Sequence, residues 1–435
     1  MRYAPAIGLE MTPYNRQTFD LNLNIKSFEP ISAFLDPSLT LEDGAKLEAH
    51  FSSEEYTAKF DAFSPFVKWK GFELKNLKIS ENANQNAFSL DIIADKLILK
   101  DSVSINHIEI NNVLAKDSLI FSINAAQQTD SNYLSLNGNI HFAHNKPAYI
   151  KFNNSTIILN HQPWNINTDA QMRVSKGKFY LNNLQVSHEN QLVDFNGIVS
   201  NDNDKLEIKF SRFNLGSLES FTKPLGIEVL GELNGKIDIY SAFKKPYLSA
   251  DISTTPLVYN QIPIGHLKLV ADFDPESKIA NLDIQLIDDI RRGLTLAGTY
   301  QLIGDSQNIN LKGKLNNAEL IIFQPFIKNL ASNLIGKISS DFEITGTVAN
   351  PKFNGTSTIH NAEFSVNYLK TTYNINNQSV LIENNNILLD KLIFTDVKNH
   401  QAVSQGIVNL NKLDNPYIDI SVISNNVMIL NTNFK

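Results

Sequence analysis

The sequence predicts an all-β protein, a long antiparallel meander of short strands interrupted by a few short amphipathic helices. Three observations carry this. Apolar and polar residues alternate with period two along most of the chain, as in Phe19, Leu21, Leu23 and Ile25 against Asp20, Asn22 and Asn24. Between these runs lie Asn201-Asp202-Asn203-Asp204, Asn137-Gly138 and Asn384-Asn385-Asn386, residue types that tolerate a left-handed backbone and close hairpins. Finally, one stretch echoes another without gaps at an offset of 105, residue 215 falling on residue 320.

In chain order, alternation is read at Leu21 and Leu23, Leu134 and Leu136, Ile208 and Phe210, Ile237 and Ile239, and Leu267 and Leu269. It continues at Leu282 and Ile284, Leu294 and Leu296, Ile309 and Leu311, Phe342 and Ile344, and Ile418 and Ile420. Each such strand has one apolar and one polar face, and these residues are the candidates for one continuous apolar lining.

Helical spacing occurs in the echoed stretch. Leu215, Leu218, Phe221 and Leu225 match Leu320, Phe323, Phe326 and Leu330, each set forming one stripe on a helical wheel. Pro325 starts a second short helix or kinks a single one. Downstream, Gly231, Leu233, Ile237, Ile239, Pro246, Leu248 and Ala250 match Gly336, Ile338, Phe342, Ile344, Pro351, Phe353 and Gly355. The repeating unit is a short helix, a Gly, two alternating strands, then Pro and a small residue. A third copy is read at Phe28-Glu29-Pro30-Ile31-Ser32-Ala33-Phe34-Leu35. Three segments follow: 1–200; 201–314, with a helix near 214–225; and 315–435, with a helix near 318–334. No Pro/Ser/Gly-rich spacer separates them, so they read as seams in one sheet.

Composition narrows the function. A chain of 435 residues with 42% hydrophobic and 19% charged residues is not disordered, and suits two to four domains or one extended repeat stack. Its net charge of −7, without basic runs, disfavours nucleic-acid binding. There is no cysteine, which excludes disulfides, thiolate metal sites and a cysteine nucleophile. Met1 to Thr18 does not read as a signal peptide, and no run of about 18 apolar residues predicts a membrane helix.

A search for chemistry points away from an enzyme, and no cofactor is expected. His141 and His144, with His161 further on, are the nearest approach to a metal cluster, but on a strand the first two face opposite ways. Asp288-Asp289 before Arg291-Arg292 reads as a solvated turn rather than a facing carboxylate pair. Phe60, Phe63, Phe66 and Trp69, followed by Phe72, read as packing at a strand-to-helix corner broken by Pro65 and Gly71. Gly231, Gly336 and Gly355 read as turn or bulge positions rather than phosphate cradles.

A one-faced sheet of this length must cover its apolar side, either by curling on itself or by folding lengthwise into a gutter whose lining meets something else. The run Gly346-Thr347-Val348-Ala349-Asn350-Pro351-Lys352-Phe353-Asn354-Gly355 resembles the G-T-x-x-x-P-x-x-x-G pattern of the AsmA- and TamB-like superfamily. Phe364 to Leu369, Thr372-Tyr373, Val380 to Glu383 and Ile429 to Thr432 resemble it as well. The resemblance covers about the last 120 residues and reaches 200–314 through the echo.

It implies a taco-like hydrophobic groove, anchored in the inner membrane, that spans the periplasm and carries phospholipid towards the outer membrane. It further implies an outer-membrane β-barrel partner of the Omp85 type and a part in assembling outer-membrane proteins. The anchor helix and barrel-docking region of the family are not matched, so the chain is expected to be an internal segment ending at Lys435. A second reading uses the same sheet as a chaperone-like scaffold offering strand edges to nascent barrel strands. A third, a surface solenoid adhesin or glycan binder, requires outward aromatic ladders, which the inward alternation does not favour.

Overall fold

The structure, a computed structural model, describes residues 3–7, 16–30, 32, 36–69, 72–99, 103–127, 132–167, 169–223, 226–287, 293–303, 306–412 and 416–430. Among them the regular structure is almost wholly antiparallel, with 31 strands. The chain divides into two compact units, Met1–Ile227 and Glu228–Lys435. The repeat seams lie elsewhere: residue 200 falls in the turn after Gln191–Val199, and residue 314 inside the strand Ser306–Glu319.

In the first unit, Thr18–Ile25 pairs with Ala45–Ser52, and a meander then runs through Thr57–Trp69, Phe72–Ala83, Phe88–Leu99, Val103–Ala115, Ser118–Ala126 and Tyr133–His141. The next two passes are broken strands. Ala148–Phe152 and Thr156–Leu159 together lie against Tyr133–His141; Gln162–Ile166 and Gln171–Ser175 follow, then Lys178–His188, Gln191–Val199 and Lys205–Asn214. A helical turn, Leu215–Leu218 continuing as Glu219–Thr222, closes the unit. Asn214 caps it by accepting from the Gly216 amide at 2.9 Å. Asn160 Nδ2, donating to the Gly216 carbonyl at 3.0 Å, and Ser217 Oγ, donating to Gln162 at 3.2 Å, tie the turn to the neighbouring hairpin.

The second unit repeats the scheme. Glu232–Tyr240 and Tyr247–Thr254 lead into Ile262–Asp274, Ile279–Ile287, Gly293–Ile303, Ser306–Glu319, Ala331–Thr347 and Asn350–Val366. Thr371–Ile375 and Gln378–Glu383 form one broken pass, followed by Asn386–Asp396, Gln401–Asn409 and Tyr417–Ser424. The helical insert here is Leu320–Phe323 and Gln324–Ile327, shorter than the expected 318–334. A strand already starts at Ala331, which pairs with Val366 of Asn350–Val366; from Lys337 on, the strand also pairs with Ser306–Glu319.

Strict alternation would give flat strands, yet many strands skip a beat. At Asn76, His107, Asn183, Arg212, Asn317, Asn333, Asn361 and Lys391 the backbone is left-handed, with φ between +47° and +58°. Each lies between two apolar residues three apart: Leu74 and Leu77, Ile105 and Ile108, Leu181 and Leu184, Phe210 and Phe213, Leu315 and Ala318, Ala331 and Leu334, Ile359 and Ala362, Leu389 and Leu392. One extra residue in left-handed geometry bends the strand and returns the next apolar side chain to the same face. Asn, whose short polar side chain bonds locally, accepts that geometry best after Gly.

Polar side chains stitch these bends across neighbouring strands. Asn76 Nδ2 donates to Asp95 at 2.7 Å. Asn167, in a strand break, donates to the Asn183 carbonyl and accepts from the Gln185 amide, both at 2.7 Å. In the second unit Ser339 Oγ accepts from the Asn317 amide and shares a hydrogen bond with His360, which in turn meets Asn377. Gln378 pairs with both backbone groups of Ile393 at 2.9 Å. The result within each unit is a crease that divides the sheet into two wings. Small residues sit beside it and are deeply buried: Ala94, Ala318 and Ala362. Ala362, Ile375 and Leu392 on one wing share a cluster with Val380 on the other, with Ile359, Ile387, Leu389 and Leu320 packed around it. The apolar face therefore lies inside the fold there.

Two expectations are corrected. Phe60, Phe63, Phe66 and Trp69 mark no strand-to-helix corner. They belong to one strand, and Trp69 and Phe72 are half exposed, because Pro65 lies in line within the strand and no helix follows among the described residues. Gly355 is no turn; it sits mid-strand at φ +157°, where a Cβ would come within 2.3 Å of the Asp341 carbonyl. Asp288 to Arg292, Leu225, Gly71 and half of the third copy, Ile31 and 33–35, lie outside the described residues.

The crease makes a direct prediction. Asn361→Val should lower stability by about 1–2 kcal/mol, since a β-branched residue cannot relieve the left-handed strain, whereas Asn361→Gly should be near neutral. Urea midpoints at unchanged m-value check both.

Candidate functional site: one apolar face

Directly opposed residues of an antiparallel pair point to the same face, so the register traces rows across each sheet about 4.8 Å per strand. In the second unit one row runs Gly235, Ile252, Leu269, Ile284, Leu296, Gly313, Phe342, Gly355, Ile382, Ile387, Val408, Ile418. Every member is apolar or Gly. The next row, Ile237, Ala250, Ala271, Leu282, Gly298, Leu311, Ile344 and Phe353, has the same character. Beyond it come Ile239, Leu248, Phe273, Ala280, Tyr300 and Ile309. Leu267 and Leu294 share the row of Leu286 and Leu315, and Ile420 lies opposite Gly406.

The first unit has its own rows. Phe19, Phe51, Ala58, Ala83, Phe88, Leu114, Leu119, Ile140, Ile150, Met172, Leu181, Gly197 and Leu206 form one. Leu23, Leu47, Ala62, Ile79, Ile92, Ile110, Ile123 and Leu136 form another, and Leu134 faces Ile157 and then Trp164 on the same side. Ile208 and Phe210 continue from Leu206 by alternation. Between the two rows runs that of Leu21, in which Glu81 and Asn112 interrupt the apolar series.

The register thus brings the alternating residues read from the sequence onto one face in each unit. Leu311 is buried and most others are half-buried. Leu21, Leu23, Ile418 and Ile420, on strands paired along one side only among the described residues, are 41%, 43%, 55% and 36% exposed. The glycines let neighbouring backbone approach: a Cβ on Gly298 would stand 2.1 Å from the Asn310 carbonyl. An apolar cleft of ≈ 260 Å³ opens from this face beneath the 320–323 turn, bounded by Pro256, Pro263, Leu286, Leu294 and Ile322.

No family model matches this sequence, and no curated protein or solved structure matches it.

The face carries little that could do chemistry. Ser357 donates to Ser340, which donates to the Thr356 carbonyl, so these buried hydroxyls are satisfied. His141 bonds to Ser118, and no group of three His, Cys, Asp or Glu among the described residues is placed to share a metal ion. Sequence reading missed the main polar anchor, Asp396. It pairs with Tyr373 on the inner face and is fully buried. Burial opposes its charge, but amides of Met428, His400 and Lys398 and the His400 ring outweigh that, holding the carboxyl far below the usual carboxylate range. Tyr373 Oη donates to the Met428 carbonyl at 3.0 Å, so residues 427–430 are strapped across the rim of the face. The signal for it was Asp396-Val397-Lys398-Asn399-His400, a turn whose first side chain caps its own amides.

Because its pKa is lower folded than unfolded, Asp396 contributes stability above the unfolded value near 4 and loses it as the pH falls through the folded value. Asp396→Asn should lower Tm at pH 7 and speed exchange of the Met428 amide by more than tenfold. The Tm gap should begin to narrow once the pH falls below about 4 and keep shrinking as the pH approaches the folded value. Thermal melts across pH, with hydrogen exchange, check this.

Proposed function

We propose that this chain is a segment of an AsmA/TamB-like bridge that carries phospholipid between the inner and outer membranes, acyl chains held along the apolar face. The observation that supports it is the unbroken row from Gly235 to Ile418, a lining with neither a polar gap nor a charged side chain. Withdrawing acyl chains from a bilayer into water costs about 0.8 kcal/mol per methylene. A lining that offers the same apolar contact at every strand keeps that cost covered at each position, so a lipid can advance without a large barrier. The residues act by shape and apolarity, and the reading is non-enzymatic. With the family resemblance come the remaining parts of the proposal: a periplasmic location, an anchor in the inner membrane and an Omp85-type barrel partner, both engaged through other regions. Among the described residues no helix is long and apolar enough to cross a membrane.

One observation favours the chaperone-like alternative. Tyr417–Ser424 pairs only with Gln401–Asn409 among the described residues, and it has no Lys, Pro or bulge to discourage a further strand. Photocrosslinking residues placed at Leu282 and Asp283, which point to opposite faces, separate the readings. Phospholipid adducts at 282 and none at 283 are expected. Protein adducts at Ile423 with no lipid at 282 would favour chaperoning and sink the transport reading.

A further inference from the structure

In the second unit, successive connections at one end of the sheet are tied to one another in a row. Asn367 joins the first two: its amide donates to the Leu330 carbonyl at 2.9 Å and its Nδ2 to the Lys328 carbonyl at 2.8 Å. Tyr373, just past the second, lies opposite Asp396, where the third begins, and donates to the Met428 carbonyl in the fourth at 3.0 Å. Residues 328–330, 367–370, 396–400 and 425–430 therefore form one rim.

Its composition is lopsided. Lys328, Lys370 and Lys398, one on each of the first three connections, are exposed. The one carboxylate in the four segments is Asp396, which is fully buried and bonded to the amides of its own turn; Glu363 and Asp390 lie further back along their strands. The rim thus presents positive charge on a chain whose net charge is −7. Apolar tips stand among the lysines: Tyr368 is 89% exposed, and Val397, Ile429 and Leu430 are more than half exposed. At the other ends of the same strands, Thr347 to Asn350 carries no charge, and Glu383 to Asn386 carries an acid and no apolar residue. Single exposed apolar residues are ordinary, but a set of them gathered beside unneutralised lysines marks an interaction surface. The tips project from successive turns in a line, without the groove that a peptide needs. Such a line suits a bilayer: aromatic and aliphatic tips enter the head-group layer, while lysine stems lie along it and keep their ammonium groups among the phosphates.

We propose that this rim docks on the surface of a bilayer that contains anionic phospholipid. Lys328, Lys370 and Lys398 supply the electrostatic attraction, and Tyr368, Val397 and the 429–430 segment supply the apolar anchors. The docking is independent of lipid carriage, which uses the inner face and needs no charge.

The test floats the purified chain with vesicles of phosphatidylcholine alone, or of equal parts phosphatidylcholine and phosphatidylglycerol, at low and at high salt. The natural chain should prefer the anionic vesicles about a hundredfold, near fivefold for each lysine, and lose most of that preference at high salt. Lys328→Gln, Lys370→Gln and Lys398→Gln together should abolish the preference at unchanged Tm, whereas Lys352→Gln with Lys412→Gln, at the opposite strand ends, should change it less than about twofold. Because the chain has no cysteine, an environment-sensitive dye can be placed singly. On Tyr368→Cys its emission should shift to the blue with anionic vesicles, and on Val348→Cys it should not. Equal binding to both vesicles, a preference unchanged in the triple variant, or a dye shift at Val348→Cys and none at Tyr368→Cys would overturn the docking. Binding to neither vesicle, the result expected of a rim that serves an acidic protein, would overturn it as well.

Discussion

A single antiparallel sheet has two faces, and within each unit no second sheet covers the apolar one among the described residues. Each unit meets that constraint by bending its own sheet. The bend is possible because one residue in many strands is left-handed, so the backbone turns while the side chains on either side stay on one face. Without Asn183, Asn317, Asn361 and Lys391 in that geometry, residues three apart would fall on opposite faces, and half of each wing would present its apolar side to water. Ala94, Ala318 and Ala362 beside the crease keep the wings close, and the cluster around Ala362 and Val380 shows the two wings in contact.

The energetic character of the interior follows. Relatively few hydrophobic side chains are fully buried among the described residues, and several of those are alanines at the crease. Stability comes instead from ladders of backbone hydrogen bonds and many half-buried contacts. Polar stitches such as Gln378 with Ile393 and Asn167 with Asn183 hold the bends without filling the space between the wings. Such a structure keeps its apolar face accessible at the cost of a thick core.

Much of this was legible in the sequence. Period-two alternation placed Leu267, Leu282, Leu294 and Leu311 on one face, because a strand alternates strictly wherever one side is apolar. The helical inserts were legible from their stripes, though the second ends at Ile327. The crease was not read, because a search for strict alternation treats Leu315-Asn316-Asn317-Ala318 or Ile359-His360-Asn361-Ala362 as the end of one strand and the start of another. The motif is nonetheless written there: apolar, polar, Asn or another polar residue, apolar. Asp396 escaped notice because its role depends on Met428, 32 residues on, which only the fold brings to it.

Whether the apolar face of this fold holds lipid chains is most directly tested by native mass spectrometry of the chain purified from cells under mild conditions. Lipid carriage predicts adducts with the masses of two-chain phospholipids, reduced by bulky polar substitutions at Leu282 and Leu296 but not at Asp283. Protein recovered consistently free of lipid, with its inner face closed and dry, would contradict it.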